Sequence, residues 1–188
     1  MFLITGSGRS GTKYMATVLR ACGLNVGHER LGRDGIVSGF YAFDAPRYPG
    51  RRHPAPRPKF DTVLHQVREP LATIGSLTTG RHWRWSRQFT ALREKNPPPL
   101  RRACYVWLAF NQAAERQAVF TYRIEDLRDY WSALQTALNF TAEYEAVAHI
   151  SHNINTRAHA AITWDDIARV APEIVDDIIT TSRGYGYG

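Results

Sequence analysis

Residues 2–16 read Phe2-Leu3-Ile4-Thr5-Gly6-Ser7-Gly8-Arg9-Ser10-Gly11-Thr12-Lys13-Tyr14-Met15-Ala16. The apolar run at the start is typical of a buried strand, and the three glycines after it are typical of a loop. An amphipathic helix is predicted next, with an apolar face formed by Met15, Val18, Leu19 and Cys22. Strand, glycine loop and helix in this order predict an anion site. Glycines let several amide N–H groups converge, and the helix N-terminus adds partial positive charge.

The spacing of the glycines indicates which kind of phosphate would bind. A nucleotide triphosphatase loop has the form G-x-x-x-x-G-K-[ST], in which the lysine contacts the β- and γ-phosphates and the hydroxyl binds magnesium. Gly6 and Gly11 fit, but Thr12 stands in the lysine position and Lys13 comes one residue late. One residue turns a side chain by about 100° around a helix, and Tyr14 occupies the position of the metal-binding hydroxyl residue. We therefore expect a phosphate group that arrives without a metal ion.

The loop resembles the 5′-phosphosulfate loop of sulfotransferases that use 3′-phosphoadenosine 5′-phosphosulfate (PAPS). The family form is [KR]-S-G-T-[TS], and the chain departs from it at the last position, where a lysine replaces a second hydroxyl. The resemblance implies that Arg9 stabilises the charge on the transferring group. It also implies that the cofactor is bound by Gly8, Arg9, Ser10, Gly11, Thr12 and Lys13.

A second strand–turn–helix unit occurs at residues 61–77. Residues 61–67 form a strand-like run, and Pro70 is typical of the first position of a helix. In the sulfotransferase family the 3′-phosphate site has an arginine at the strand end, in an R-x-P frame, and a serine eight residues later. Arg68 and Ser76 keep that spacing. The resemblance implies that the arginine binds the 3′-phosphate through two hydrogen bonds and that the serine adds a hydroxyl.

Two weaker matches lie further along the chain. Residues 119–127 resemble a family strand that ends in an aromatic residue and E-D-L, but Ile124 replaces the aromatic residue, and Tyr122 would supply a ring only in another strand register. The segment 152–159 is polar and basic, and many sulfotransferases close over the 3′-phosphate with a basic C-terminal loop. The resemblance therefore implies that Arg157, with His159, contacts the cofactor.

The residues after the first helix are candidates for the chemistry. Residues 24–27 are predicted to form a strand that runs into a loop with His28 and Glu29. Sulfuryl transfer to a hydroxyl needs a base that takes the acceptor proton. Many carbohydrate and tyrosine sulfotransferases use a glutamate soon after the loop helix, in a G-x-E context, so the resemblance favours Glu29 as the base. His28 stays the alternative, because other family members use a histidine that comes later in the chain.

The alternation of strand and helix patterns predicts an α/β fold. Strands are expected at 2–5, 24–27, 62–67 and 118–123. Later helices are expected at 100–117, in the segment after Leu127, where Trp131, Leu134 and Leu138 share a face, and at about 172–181. This order predicts a three-layer arrangement, a mostly parallel sheet flanked by helices, with ligands at the carboxyl ends of the strands. The resemblance implies a P-loop NTPase-like sulfotransferase fold. We expect one domain over residues 1–188.

Composition is compatible with this function. The formal net charge of +7 suits an anionic cofactor, and nucleic acid is not expected as a partner because no recognition motif is present. Neither cysteine lies in a metal or disulfide pattern. We find no secretory leader and no apolar stretch long enough to span a bilayer, so we expect no membrane insertion and a cytoplasmic location, in a bacterium or a virus that infects one.

Three functions follow from these patterns. A sulfotransferase would use PAPS, release adenosine 3′,5′-bisphosphate and need no metal, with a sugar, a lipid head group, a peptide tyrosine or a small metabolite as acceptor. A small-molecule kinase with a P-loop would bind ATP in a magnesium-dependent way, without preference for a 3′-phosphate. A non-catalytic binder of nucleotides or nucleic acid would show affinity without turnover and a steep salt dependence.

Overall fold

The computed structural model describes residues 1–43, 57–80, 86–154 and 157–188. In this part of the chain five strands form one all-parallel sheet: β1 (Phe2–Thr5), β2 (Val26–His28), β3 (Gly35–Val37), β4 (Thr62–Val67) and β5 (Phe120–Arg123). Their order across the sheet is β2-β3-β1-β4-β5. The central strand β1 pairs with β3 on one side and β4 on the other, so that Ile4 lies opposite Val37 and Leu64.

Helices cover both faces of this sheet. The described residues form α1 (Thr12–Ala21), α2 (Pro70–Thr78), α3 (Pro99–Glu115), α4 (Trp131–Leu138), α5 (Trp164–Val170) and α6 (Val175–Gly184). On one face, α1 and α4 pack on a core that includes Ile4 and Leu64. On the other face, α2, α3, α5 and α6 share a core with Val67. This arrangement confirms the predicted α/β class, with a parallel sheet between two helical layers.

The sequence prediction differs from the structure on the side of the sheet formed by β2 and β3, and at the ends of several helices. We expected a strand at 24–27 and no further strand before residue 62, whereas β2 begins at Val26 and β3 adds a strand between them. Three residues are too few for a clear period-2 pattern, which is why β3 was not predicted. The long helix begins at Pro99, and the last one at Val175 instead of Pro172.

Local capping agrees with the predicted helix starts. Thr163 forms a capping box with Asp166, in which each side chain accepts a hydrogen bond from the other residue's backbone N–H. Pro70 is the first residue of α2, as predicted, and the Glu69 carboxylate accepts from the N–H groups of Leu71 and Ala72. In the described ranges, no helix has the length and apolar content needed to cross a membrane.

The strand order determines which segments meet at the carboxyl edge of the sheet. From β1 the chain moves first to β2 and β3 on one side, and later to β4 and β5 on the other. The loop after β1 therefore lies at the point where the order of connection reverses, which is where open α/β sheets bind ligands. Glu29 follows β2 on one side of this loop, and Arg68 follows β4 on the other.

Candidate functional site

The loop between β1 and α1 has a backbone that opens toward a ligand. Arg9 and Gly11 both adopt left-handed conformations, with φ of 70° and 88°. A Cβ atom on Gly6 would lie 2.2 Å from the carbonyl oxygen of Gln66, so only glycine fits there. Helix α1 has no acidic residue in its first turn, and no side chain caps its N-terminus. The positive end of the helix dipole is thus left for an anion.

A buried amide fixes the second half of this loop. The Gln66 side chain, at the end of β4, donates from Nε2 to the carbonyl oxygen of Ser10 at 2.5 Å. Its Oε1 accepts from the Tyr122 hydroxyl at 2.8 Å. Gln66 and Tyr122 are both fully buried, so these bonds are shielded from water. Because the Ser10 carbonyl is turned to the protein interior, it does not face an anion bound in the loop.

A second buried network fixes the first half of the loop. The Asn111 Oδ1 atom, on α3, accepts from the N–H of Ser7 at 3.1 Å and lies 3.2 Å from Nε2 of His65. Because Oδ1 can only accept, His65 carries its proton on Nε2, and its Nδ1 accepts from the Thr121 hydroxyl at 3.0 Å. Burial lowers the pKa of His65 to about 4, so that the ring is neutral at pH 7.

One cavity of about 430 Å³ lies above the loop at the carboxyl edge of the sheet. Its size is in the range of small-ligand pockets. It brings together most of the residues that the sequence predicts for the site. Those that line it are Gly8, Arg9, Gly11, Thr12, Lys13, His28, Glu29, Arg68 and Arg157.

The two predicted serines lie behind this lining. Ser10 is 1% exposed, and in the described part of the chain its Oγ has no hydrogen-bond partner. Ser76 is 3% exposed, and its Oγ accepts from Nε of Arg9 at 2.8 Å. Ser76 therefore contacts the arginine of the glycine loop, whereas the sequence pairs it with Arg68 at a 3′-phosphate.

Three arginines bring positive charge to the cavity from separate parts of the chain. Nη1 of Arg68 approaches the carbonyl oxygen of Arg9 within 3.5 Å, and Nη1 of Arg157 lies 3.4 Å from the carbonyl oxygen of Thr79. Burial, and then the charges of Arg157 and Arg68, lower the pKa of Arg9. A bound anion would relieve this repulsion, because it would offset like charges held close together.

His28 and Glu29 face the helix end of the cavity from the end of β2. Nε2 of His28 lies 3.2 Å from Oγ1 of Thr12, at the start of α1. Burial lowers the pKa of His28 from 6.5; Glu29 opposes that shift, while Lys13 and Arg20 add to it. His28 is therefore neutral at pH 7. Among the described residues, none forms a hydrogen bond or an ion pair with the Glu29 carboxylate.

Backbone strain marks two of these residues. Over the described ranges, the non-glycine residues with positive φ are Arg9, Glu29 and Asn139. Asn139 ends helix α4, where a left-handed residue is ordinary. Arg9 and Glu29, at 70° and 56°, have no such explanation, and both line the cavity. Left-handed residues other than glycine often occur at ligand sites, where surrounding structure maintains them.

Sequence reasoning missed the apolar side of the cavity. Its lining includes Phe40, Leu77, Val106 and Phe110, which come from three separate elements, and no motif joins them. The role of Gln66 and Asn111 was missed as well, because a single amide in an apolar stretch gives no pattern. Ile154 and His152 also line the cavity. The ring of His152 stacks on the ring of Tyr14, with centroids 4.4 Å apart.

The weaker sequence matches have other positions. Tyr122 is fully buried with its hydroxyl on Gln66, so it supports the loop and offers no face to a base. Ile124 packs on the glycine loop: a Cβ atom added to Gly11 would lie 3.4 Å from Cγ1 of Ile124. His159 lies outside the cavity lining, against Gly75. Within the described residues, no group of three or more His, Cys, Asp or Glu side chains could hold a metal ion.

Comparison of the chain with protein-family models, with curated proteins and with solved structures gives no match.

Proposed function

We propose that this protein is a PAPS-dependent sulfotransferase, which moves the sulfuryl group to an acceptor hydroxyl or amine by in-line displacement. The observation that carries the proposal is the shared cavity of about 430 Å³. The glycine loop, Arg68, Glu29 and His28 all line it, although they lie at or directly after the ends of three different strands. The strand order, with a glycine loop after the central strand, supports the P-loop NTPase-like sulfotransferase fold that the resemblance implies.

The residues of the loop fit a 5′-phosphosulfate group. The uncapped N-terminus of α1 offers amide N–H groups and partial positive charge. The Ser10 hydroxyl is a buried polar group with no partner among the described residues, and an anion bound in the loop would supply the acceptor that it lacks. Arg9 and Lys13 line the same cavity and add full charges.

Arg68 and Arg157 fit the 3′-phosphate of the same nucleotide. Arg68 approaches the backbone of Arg9 within 3.5 Å, so the strand-end arginine and the glycine loop are neighbours. One nucleotide with phosphates on the 3′ and 5′ positions of its ribose can therefore contact both Arg68 and the glycine loop. Burial, and after it the charge of Arg157, lowers the pKa of Arg9, so the charge of Arg157 acts on the same region.

Glu29 is the better candidate for the base. Nε2 of His28 is engaged with Thr12, whereas no bond to a described residue occupies the Glu29 carboxylate. When PAPS is bound, it supplies an activated sulfuryl group whose bond to the bridging oxygen breaks as the acceptor oxygen attacks sulfur. In this proposal Glu29 takes the acceptor proton, and Arg9 stabilises negative charge on the bridging oxygen.

Calorimetric titration tests the proposal with matched nucleotides. We expect adenosine 3′,5′-bisphosphate to bind without magnesium, about 100-fold more tightly than adenosine 5′-monophosphate, because an arginine–phosphate pair contributes about 3 kcal/mol. Arg68→Ala should remove most of that preference. Arg33→Ala, at an exposed arginine, should keep it.

Two results would overturn the proposal. Binding of ATP that needs magnesium, with no preference for a 3′-phosphate, would indicate the kinase. Equal affinity of the wild-type protein for the bisphosphate and the monophosphate, together with salt-sensitive binding of nucleic acid, would indicate a non-catalytic binder.

A further inference from the structure

The cavity has an apolar side as well as a cationic one. Phe40 belongs to the short helical turn Gly39–Tyr41 that follows β3. Val106 and Phe110 lie four residues apart on α3, and therefore on the same face of that helix. Leu77, near the end of α2, completes the patch. Leu77, Val106 and Phe110 are themselves buried, whereas Phe40 is part-exposed, so the accessible apolar surface beside the charges and amides of the loop comes mainly from Phe40.

This apolar side is held in place by its neighbours. The Ser38 hydroxyl accepts from the N–H of Phe40 at 3.2 Å. A Cβ on Gly39 would lie 3.0 Å from the carbonyl oxygen of Gly6, so the turn sits directly against the glycine loop. Phe110 contacts Phe43 edge-to-face, with centroids 4.9 Å apart. The patch is thus a formed surface and not a group of loosely placed side chains.

The strand order places Phe40 on the same side of the loop as Glu29. Across the sheet, β3 lies between β2, which ends before Glu29, and β1, which leads into the loop. Arg68 follows β4 on the opposite side of β1. Phe40 and Arg68 therefore lie on opposite sides of the strand that leads into the loop. A second molecule that reaches both Glu29 and the loop must pass over the end of β3, where Phe40 lies.

We infer that the acceptor is an alcohol on an apolar body, such as a phenol or a hydroxyl on a hydrocarbon frame, and that Phe40 binds that body, with Val106 and Phe110 behind it. This inference rests on the proposed function. In the transfer, the acceptor oxygen forms a bond to sulfur as the sulfur–bridging-oxygen bond breaks. The hydroxyl proton passes to Glu29, and the electron pair of the broken bond stays on the phosphate of adenosine 3′,5′-bisphosphate.

Binding of two model acceptors tests the inference without turnover. The probes are 2-naphthol and methyl glucoside, each titrated into the full chain saturated with adenosine 3′,5′-bisphosphate. We expect the naphthol to bind at least about tenfold more tightly, because burying a ring removes much more apolar surface from water. Equal affinity of the two probes, tighter binding of the sugar, or no binding of the naphthol would overturn the inference.

Two variants locate the bound ring. Phe40→Ala should weaken naphthol binding about tenfold. Val106→Thr, which keeps the shape but replaces a methyl group with a hydroxyl, should weaken it about threefold. The matched control is Phe60→Ala: Phe60 is also half-buried and belongs to the same small hydrophobic cluster, but it lies outside the cavity lining. It should leave naphthol affinity within about twofold of wild type.

The nucleotide provides the decisive comparison. If Phe40→Ala weakens the bisphosphate as much as the naphthol, the apolar side holds the adenine and the inference is wrong, while the proposed function stands. If the wild-type protein does not bind the bisphosphate at all, the proposed function itself fails, and the inference fails with it. If Phe40→Ala leaves the affinity for the bisphosphate unchanged and weakens naphthol binding, the result supports both the proposed function and the inference.

Discussion

The two sides of the cavity are built by different means. The cationic side combines charged side chains with a backbone of fixed conformation, a glycine loop with left-handed residues at Arg9 and Gly11 that Gln66 and Asn111 hold from below. The apolar side consists of side chains, such as Phe40 and Phe110, brought together from separate elements. A backbone site depends on conformation and fails when the loop shifts. A side-chain site depends on residue identity, so substitutions there should change which molecule binds before they abolish binding.

Glu29→Gln should show the largest effect, because it removes the proposed base while leaving both sides of the cavity intact. We expect kcat to fall by about 10²- to 10⁴-fold, with the affinity for adenosine 3′,5′-bisphosphate within about twofold of wild type. Steady-state kinetics and calorimetry on the same preparation provide both values. His28→Gln serves as the comparison and should lose less than about tenfold. A Glu29→Gln variant with full turnover would exclude the glutamate as base.

Gly6→Ala tests the dependence of the cationic side on backbone conformation. The added Cβ would lie 2.2 Å from a carbonyl oxygen, so the loop or β4 must move. We expect a loss of about 3 kcal/mol in the free energy of unfolding and nucleotide binding too weak to measure. The control is Gly184→Ala, where a Cβ meets nothing within 4 Å in a helix, and where stability should stay or rise slightly. Normal nucleotide affinity in Gly6→Ala would contradict this description of the loop.

Acid should lower the free energy of unfolding through His65, which belongs to the network that fixes the glycine loop. Its pKa is lowered to about 4 in the folded protein, against about 6.5 when unfolded, so the unfolded chain binds more protons between these values. The contribution is complete above pH 6.5 and is lost as the pH falls toward 4, by about 3 kcal/mol in total. Urea unfolding at a series of pH values measures it. His65→Gln, which cannot titrate, should show a shallower dependence; the same slope in both proteins would rule out this origin.

Tyr122→Phe should give the smallest effect. It removes one hydrogen bond to Oε1 of Gln66 and leaves the bond from Nε2 to Ser10 in place. We expect a loss of about 1 kcal/mol in stability and a decrease of less than about threefold in nucleotide affinity. Thermal unfolding and calorimetry measure both. The control is Tyr130→Phe, a tyrosine that packs beside Tyr122 with ring centroids 6.0 Å apart. If Tyr122→Phe abolished nucleotide binding, the tyrosine would have to contact the ligand directly.

The difference between the cationic side and the apolar side of the cavity also explains how much of the site could be predicted from the sequence. The glycine loop and the R-x-P turn are contiguous, so their spacing indicates both the strands and the residues at their ends. The strand β3 has three residues and no visible periodicity, so it was not predicted. Phe40, in the turn that follows β3, was therefore not predicted to lie at the site. Ser76 keeps the expected spacing from Arg68, yet its hydroxyl bonds to Arg9, because the helical turn sets its direction. Spacing predicts position along the chain, whereas contacts between elements depend on packing.

The left-handed backbone at Glu29 has a consequence for anyone who tries to engineer this protein. Glycine adopts a φ of 56° without penalty, so Glu29→Gly would relieve about 1 kcal/mol of conformational energy. Heat-resistance screening would therefore enrich a variant that has discarded its proposed base. Libraries selected for robustness alone would drift toward inert proteins, and a turnover assay belongs in every round.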